Sequence, residues 1–128
     1  MSSDLTKTTT EIDQKNTDQV NFIAKTLSDK KAENIRIMDL RGVTTLADYF
    51  IICSSASDVH AKTLADEVSE KVKDEYSEKP WRKEGLEIRR WIILDYVHIV
   101  VHIFNGETRQ YYGLERMWND AKITTYTD

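Results

Sequence analysis

Residues 48–76 read DYFIICSSASDVHAKTLADEVSEKVKDEY, and this stretch decides the architecture. Tyr49 to Cys53 form a nearly continuous apolar run, which predicts a strand buried on both faces. Ser54, Ser55 and Ser57 then supply hydroxyls suited to capping a helix. From Asp58 to about Tyr76 the apolar positions are Ala61, Leu64, Ala65, Val68 and Val72, one face of an amphipathic helix. Asp58 in its first turn complements the helix dipole. A strand with two apolar faces needs cover on both sides, so a sheet with packed helices is expected.

Upstream, Val20, Ile23, Ala24 and Leu27 recur at i, i+3, i+4 and i+7, predicting a helix capped at Thr17 or Asp18, with Lys30 and Lys31 in its last turn. Residues 1–16 carry no apolar period and are expected to be a loose tail. NIRIMDL (34–40) alternates as a strand and breaks at Arg41-Gly42-Val43. Downstream, SEKPWRKEG (77–85) reads as a loop carrying the only proline. LEIRRWIILDY (86–96) and HIVVHIF (98–104) read as strands joined near Tyr96-Val97, with Asn105-Gly106 ending the second. Tyr111, Leu114, Glu115 and Trp118 lie on helical spacing, and residues 122–128 read as an irregular tail. The expected order is α-β-β-α-β-β-β-α: an α/β (α+β) single domain over residues 17–121, one mixed sheet with packing helices.

A chain of 128 residues suits one domain with a substantial core. Its net charge of -4 opposes direct DNA binding and suits a basic protein partner. A single cysteine, Cys53, permits neither an intrachain disulfide nor a cysteine-based zinc site, as in a reducing cytosol. No run approaches the ~20 apolar residues of a membrane span. The N-terminus has no signal-peptide core, and Asp4, Glu11 and Asp13 without arginine oppose a mitochondrial leader. A cytoplasmic protein is expected.

Enzyme signatures do not emerge. Glycines stand only at 42, 85, 106 and 113, so neither GxGxxG nor a P-loop can be written. The SSAS turn could hold an anion on backbone N–H groups, but an ordinary serine cap is favoured. His98 and His102, four apart on a strand, would stand roughly 13 Å from each other, too far to share a metal. His60 lies elsewhere, and Cys53 sits in the most apolar run, where a thiol is usually inert. No Asp-x-Asp pair or lysine-rich cradle suggests phosphoryl transfer. Neither catalysis, cofactor nor metal is expected.

Two long blocks carry a family resemblance. KKAENIRIMDLRG (30–42) followed by ADYFIICSSASDVHAKTLADEV (47–68) is similar to the first conserved block of the ribosomal silencing factors, the RsfS/Iojap family. EGLEIRRWIILDYVHIVVHIFNGETRQYYGLERMW (84–118) resembles its second block, with Glu84-Gly85, Trp91, Asp95, His102, Arg109, Tyr112, Leu114, Glu115 and Trp118 in matching order. The resemblance implies a nucleotidyltransferase-like fold lacking that superfamily's catalytic carboxylates. It also implies a steric function: docking on ribosomal protein L-fourteen of the large subunit, blocking subunit joining and lowering translation when nutrients are scarce. A nucleotide-binding module using the SSAS turn is the rival reading. Val97-His98 stand where relatives read Gly-Asp, so a turn of a different type is expected, because a β-branched residue resists φ > 0. Ser55 replaces a usual glycine, and Val59 stands at an often polar position.

Six residues are the candidates for partner contact: Asp95, His98, Arg109, Tyr112, Glu115 and Trp118. Tyr112, Glu115 and Trp118 fall within about one helical turn, giving an aromatic and acidic face. The alternative has Tyr112 and Trp118 simply covering the sheet. Asp95 at a strand end suits a partner better than the core. Arg109 is a candidate structural partner of Glu115 or Asp95, and His102 of a buried hydrogen bond. An exposed aromatic face also suits a homodimer when no ribosome is present.

Overall fold

The computed structural model describes the backbone of residues 2–128 and the side chains of residues 11–128. Helix α1 (Ser2–Asp29) leads into strands β1 (Glu33–Asp39) and β2 (Tyr49–Ser55), helix α2 (Asp58–Tyr76) and strands β3 (Arg82–Glu84), β4 (Trp91–Asp95) and β5 (Ile99–Asn105). Short helices α3 (Thr108–Tyr112) and α4 (Leu114–Met117) and strand β6 (Lys122–Thr125) complete the order. The sheet runs β3-β4-β5-β2-β1-β6. Its central pair, β2 with β5, is parallel, and the other pairs are antiparallel.

Register assigns each side chain to a face. Ile51 and Cys53 of β2 and Ile99, Val101 and Ile103 of β5 point to the side covered by α1 and α2. There they meet Ile23, Ala24 and Leu27 of α1 and Ala61, Leu64, Ala65, Val68 and Val72 of α2, the positions expected from periodicity. Phe50, Ile52, Val100 and Phe104 point the other way, onto Leu114 and Ala121. Fully burying one such aliphatic side chain contributes ~1.5–3 kcal/mol, which makes this two-sided strand pair the main source of stability.

Both long helices are closed by their own chemistry. The Ser57 hydroxyl accepts the His60 N–H at 3.0 Å, as an N-cap does. At the end of α1, Lys31 N–H bonds Ser28 O and Ala32 N–H bonds Leu27 O, with Lys31 at φ 69. Those paired bonds are a Schellman stop, which leaves Lys30 and Lys31 beyond the helix rather than inside its last turn.

Several expectations need correcting. Helix α1 does not begin at Thr17 or Asp18: helical backbone runs through residues 2–16, while Met1 lies outside the described residues. The extension is local, since residues 11–15 are exposed and Gln14 and Thr17 bond within the helix to Asp18 and Asp13. The 77–85 loop contains β3, whose all-exposed Arg82-Lys83-Glu84 is a strand only because it pairs with β4. The strand expected from Leu86 starts at Trp91, after a turn. Residues 122–125 are β6, not an irregular tail, paired with β1 and anchored by half-buried Ile123. The last helix is two helices, because Gly113 at φ 60 ends α3 and opens α4.

The Tyr96–His98 turn also departs from expectation. Val97 takes φ 76, the value its β-branched side chain was expected to refuse. Its N–H donates to Asp95 Oδ1 at 2.8 Å, and the His98 N–H closes onto Tyr96 O at 3.0 Å. That is the hydrogen-bonding pattern of a γ-turn, held by the flanking β4–β5 pairing despite a cost of order ~1–3 kcal/mol.

His102 is the polar residue inside the second sheet face. Its Nδ1 accepts the Trp91 indole N–H at 3.0 Å, so the neutral ring carries its proton on Nε2, which has no partner among the described residues. Burial holds its pKa down, to about 3.

Three outcomes are expected. Val97→Gly should raise stability by ~1 kcal/mol in urea unfolding, and destabilisation would show that the turn is unstrained. Removing residues 1–16 should leave the fold intact; a melting point lowered by more than about 5 °C would mean that the segment packs on the domain. The third concerns acid. His102 is proton-free in the folded state, whereas the unfolded chain binds a proton below about 6.5. Its contribution is therefore complete above that pH and falls progressively toward pH 3, with a slope approaching ~1.4 kcal/mol per unit. Unfolding between pH 4.5 and 6.5 should show this slope in the parent and a flatter one in His102→Gln, and equal slopes would refute it.

Candidate protein-docking face

The six candidate residues fall into three places. Asp95 and His98 flank the β4–β5 turn. Arg109 and Glu115 lie beyond the opposite ends of β2 and β5, roughly a strand length of ~20 Å away. Tyr112 and Trp118 lie over the second sheet face. Because of the break at Gly113, Tyr112, Glu115 and Trp118 do not share one helical face.

Arg109 and Glu115 hold the fold together. Arg109 Nε donates to Glu115 Oε1 at 2.8 Å, and its Nη1 donates to Asn34 O at 2.8 Å and Ser54 Oγ at 3.0 Å. Arg36 Nη1 reaches the other Glu115 oxygen at 2.6 Å. Burial pushes the Glu115 carboxyl up, but the hydrogen bonds and charges of Arg109 and Arg36 outweigh it and hold the group below the ordinary range. These contacts tie α3 and α4 to β1 and β2.

This cluster lines an open crevice of about 960 Å³ at the C-terminal ends of the parallel strands, where α/β proteins commonly bind ligands. Part of its phosphate-binding capacity is consumed internally. The Ala56 N–H donates to His60 Nδ1 at 2.8 Å, and the His60 N–H goes to Ser57 Oγ. Asp58, held by the Asn105 amide, adds a carboxylate at the same helix start. An incoming phosphate would meet that charge at the helix start, which counts against the nucleotide-binding rival. His60 Nε2 also reaches Lys30 O at 2.7 Å, clamping the end of α1 to the start of α2. Among the described residues no three His, Cys, Asp or Glu groups are placed to hold an ion. Burial pushes the Cys53 thiol up to about 12, as an inert core thiol requires.

The second sheet face carries the distinctive surface. Trp91 stacks on Phe104 at 5.2 Å between centroids and meets Tyr112 at 4.5 Å, while Trp118 stands edge-on to Phe50 at 6.3 Å. Trp91, Ile93 and Trp118 are half-buried, and Tyr112 is 46% exposed. Short helices α3 and α4 cover only part of this face, leaving an aromatic shelf. Arg82 and Glu84 of edge strand β3 lie opposite Asp95 and Ile93 of β4, so charged side chains border the shelf.

The structure gives Asp95 a turn-holding role, through its bond to Val97 N–H and a 3.7 Å approach to Arg82. His98 is exposed, with Nδ1 3.5 Å from Asp48. Trp118 and Tyr112 do both jobs weighed for them, covering the sheet and remaining partly open. Ile93 belongs to the same surface, with buried Phe50 beneath Trp118, and only the strand register reveals them.

Comparison with known proteins agrees with this architecture and extends it. A crystal structure of a Chromobacterium violaceum protein superposes with a TM-score of 0.74 at 27% identity, covering 87% of this chain and 92% of that one. A second, from Bacillus halodurans, gives 0.68 at 30% identity, covering 90% and 99%. The Bacillus subtilis protein named ribosomal silencing factor RsfS is 37% identical over 100 residues, 78% of this chain and 84% of that protein. The sequence profile of the family described as "Ribosomal silencing factor during starvation" matches residues 13–128. The chain belongs to the RsfS family of ribosomal silencing factors.

Proposed function

We propose that this protein acts in the cytoplasm as a non-enzymatic silencer of translation under nutrient limitation. It docks on ribosomal protein L-fourteen of the large ribosomal subunit and sterically blocks joining of the small subunit. Family membership supports the ribosome-associated silencing role. The observation that favours docking on a protein is the partly exposed Trp91–Tyr112–Trp118 shelf bordered by Arg82, Glu84 and Asp95. Aromatic anchors on a chain of net charge -4 suit a basic protein and oppose bare RNA. The folded domain of residues 17–121, completed by β6, carries this activity. In the absence of ribosomes the same shelf pairs two copies of the chain as a homodimer.

Asp95, His98, Tyr112 and Trp118 remain the contact residues in this reading, whereas Arg109 and Glu115 support the shelf from behind. Co-sedimentation is expected with free large subunits and not with small ones. Tyr112→Ala should weaken that binding by roughly tenfold or more while the chain stays folded, as for an interface anchor. Glu115→Lys should lower thermal stability, because it places a cation between Arg36 and Arg109. Equal sedimentation with both subunits would overturn the docking reading, and normal binding by Tyr112→Ala would move the contact off the shelf.

A further inference from the structure

At the β4–β5 turn, on the side of the sheet covered by α1 and next to His98, lies a cavity of about 330 Å³ bounded by α1, the α2–β3 linker and the turn itself. Its walls include Gln19, Glu78, Trp81, Tyr96, Val97 and Ile99. We propose that this cavity seats an arginine side chain of a basic protein partner, a refinement that rests on the docking reading above.

Each wall contributes a distinct part of arginine recognition. Trp81 is 71% exposed, an unusual position for the largest apolar side chain. Its ring already attracts a guanidinium: the Arg82 Cζ lies 5.4 Å from the ring centroid. Glu78 supplies the anion. Buried Gln19 orients it by donating Nε2–H to Oε2 at 2.8 Å, while Lys15 stands 3.5 Å from Oε1 at the exposed rim. A carboxylate accepts about four hydrogen bonds, so capacity remains for a second cation. Val97, half-exposed at the turn, gives an apolar surface for an aliphatic stem.

Arginine fits this combination better than the alternatives. Its flat cation stacks on an indole and donates to a carboxylate at once, while its three methylenes cover apolar surface. Lysine offers a compact, strongly hydrated charge that matches Glu78 but not the exposed face of Trp81. A phosphate would be repelled by Glu78. Lys79 also stands on the rim, but it is exposed, and solvent screens its repulsion. The strained φ of Val97 belongs to the same wall, and strain of this kind concentrates at binding sites.

The test uses the full chain, isotopically labelled, titrated with butylguanidinium and separately with pentanamide as a neutral isostere. Butylguanidinium is expected to shift the Trp81 indole and the Val97 and His98 amide resonances while leaving the Trp91 and Trp118 indoles in place. Trp81→Ala should abolish the response. In co-sedimentation, Trp81→Ala and Glu78→Gln should each bind large subunits roughly three- to tenfold more weakly, with unchanged melting curves. An equal response to pentanamide, no response at all, or parental subunit binding by Trp81→Ala would overturn the proposal. Should the parent chain itself fail to bind large subunits, the docking reading falls. The butylguanidinium titration still decides whether the cavity takes a guanidinium.

Discussion

The parallel pairing of β2 with β5 is the constraint on which the rest of the structure depends. Parallel neighbours cannot be joined by a tight hairpin, so the chain must leave the sheet and return. Here it leaves through the capped helix α2 and returns by way of β3 and β4, which extend the sheet on one side. Ile51, Ile52, Ile99, Val101 and Ile103 are fully or almost fully buried, so both faces of this pair demand apolar cover. α1 and α2 meet that demand on one face. On the other face the cover comes from the short segment after β5, and five- and four-residue helices cannot span a six-stranded sheet. The exposed aromatic shelf is the consequence of that shortfall.

The same shortfall explains how charge and aromatic residues are divided. The cover segment is too short to be held by apolar contact alone, with Leu114 its principal core residue. Arg109, Glu115 and Arg36 supply the missing attachment by linking the segment to β1 and to Ser54 at the end of β2. Their mutual pairing offsets the cost of partial burial, whereas any one of them alone would leave an uncompensated charge. With the cover fixed this way, Tyr112 and Trp118 are freed from purely structural duty and keep surface open to a partner. Ion-paired attachment and partly open aromatic surface therefore alternate along one short stretch.

How much of this was legible in the sequence depended on whether packing left an apolar pattern. α2 and the two-sided burial of β2 were readable because every inward position is apolar. β3 was not, since Arg82-Lys83-Glu84 has no apolar residue and its strand state comes only from pairing with β4. β6 offered a single inward side chain, Ile123, too little for a periodic signal. The early turns of α1 bury nothing among the described side chains before Gln19, so no periodicity marked them. Gly113 did carry a readable signal, as a left-handed helix stop, while the γ-turn at Val97 ran against the preference of its own side chain. At the site, family resemblance named Tyr112 and Trp118, but only the β3–β4–β5 register placed Ile93 and Glu84 beside them.

Register also decides which surfaces of such a fold are left open. The crevice at the C-terminal ends of parallel strands is the usual place for a small ligand, because helix starts and loop amides converge there. In this chain Ala56 N–H, Asn105 and the guanidinium of Arg109 are all engaged by neighbouring side chains or carbonyls. A ligand would have to displace intramolecular bonds that hold α2, α3 and the end of β2 in place, so binding there would work against the fold. No such conflict exists on the second sheet face. Contact with a partner there would cover apolar surface that α3 and α4 leave open, adding burial without breaking a hydrogen bond. The crevice is thus taken up in part by the chain's own stabilising contacts, whereas the uncovered surface is aromatic and bordered by charge. This contrast is what favours a protein partner in the docking proposal.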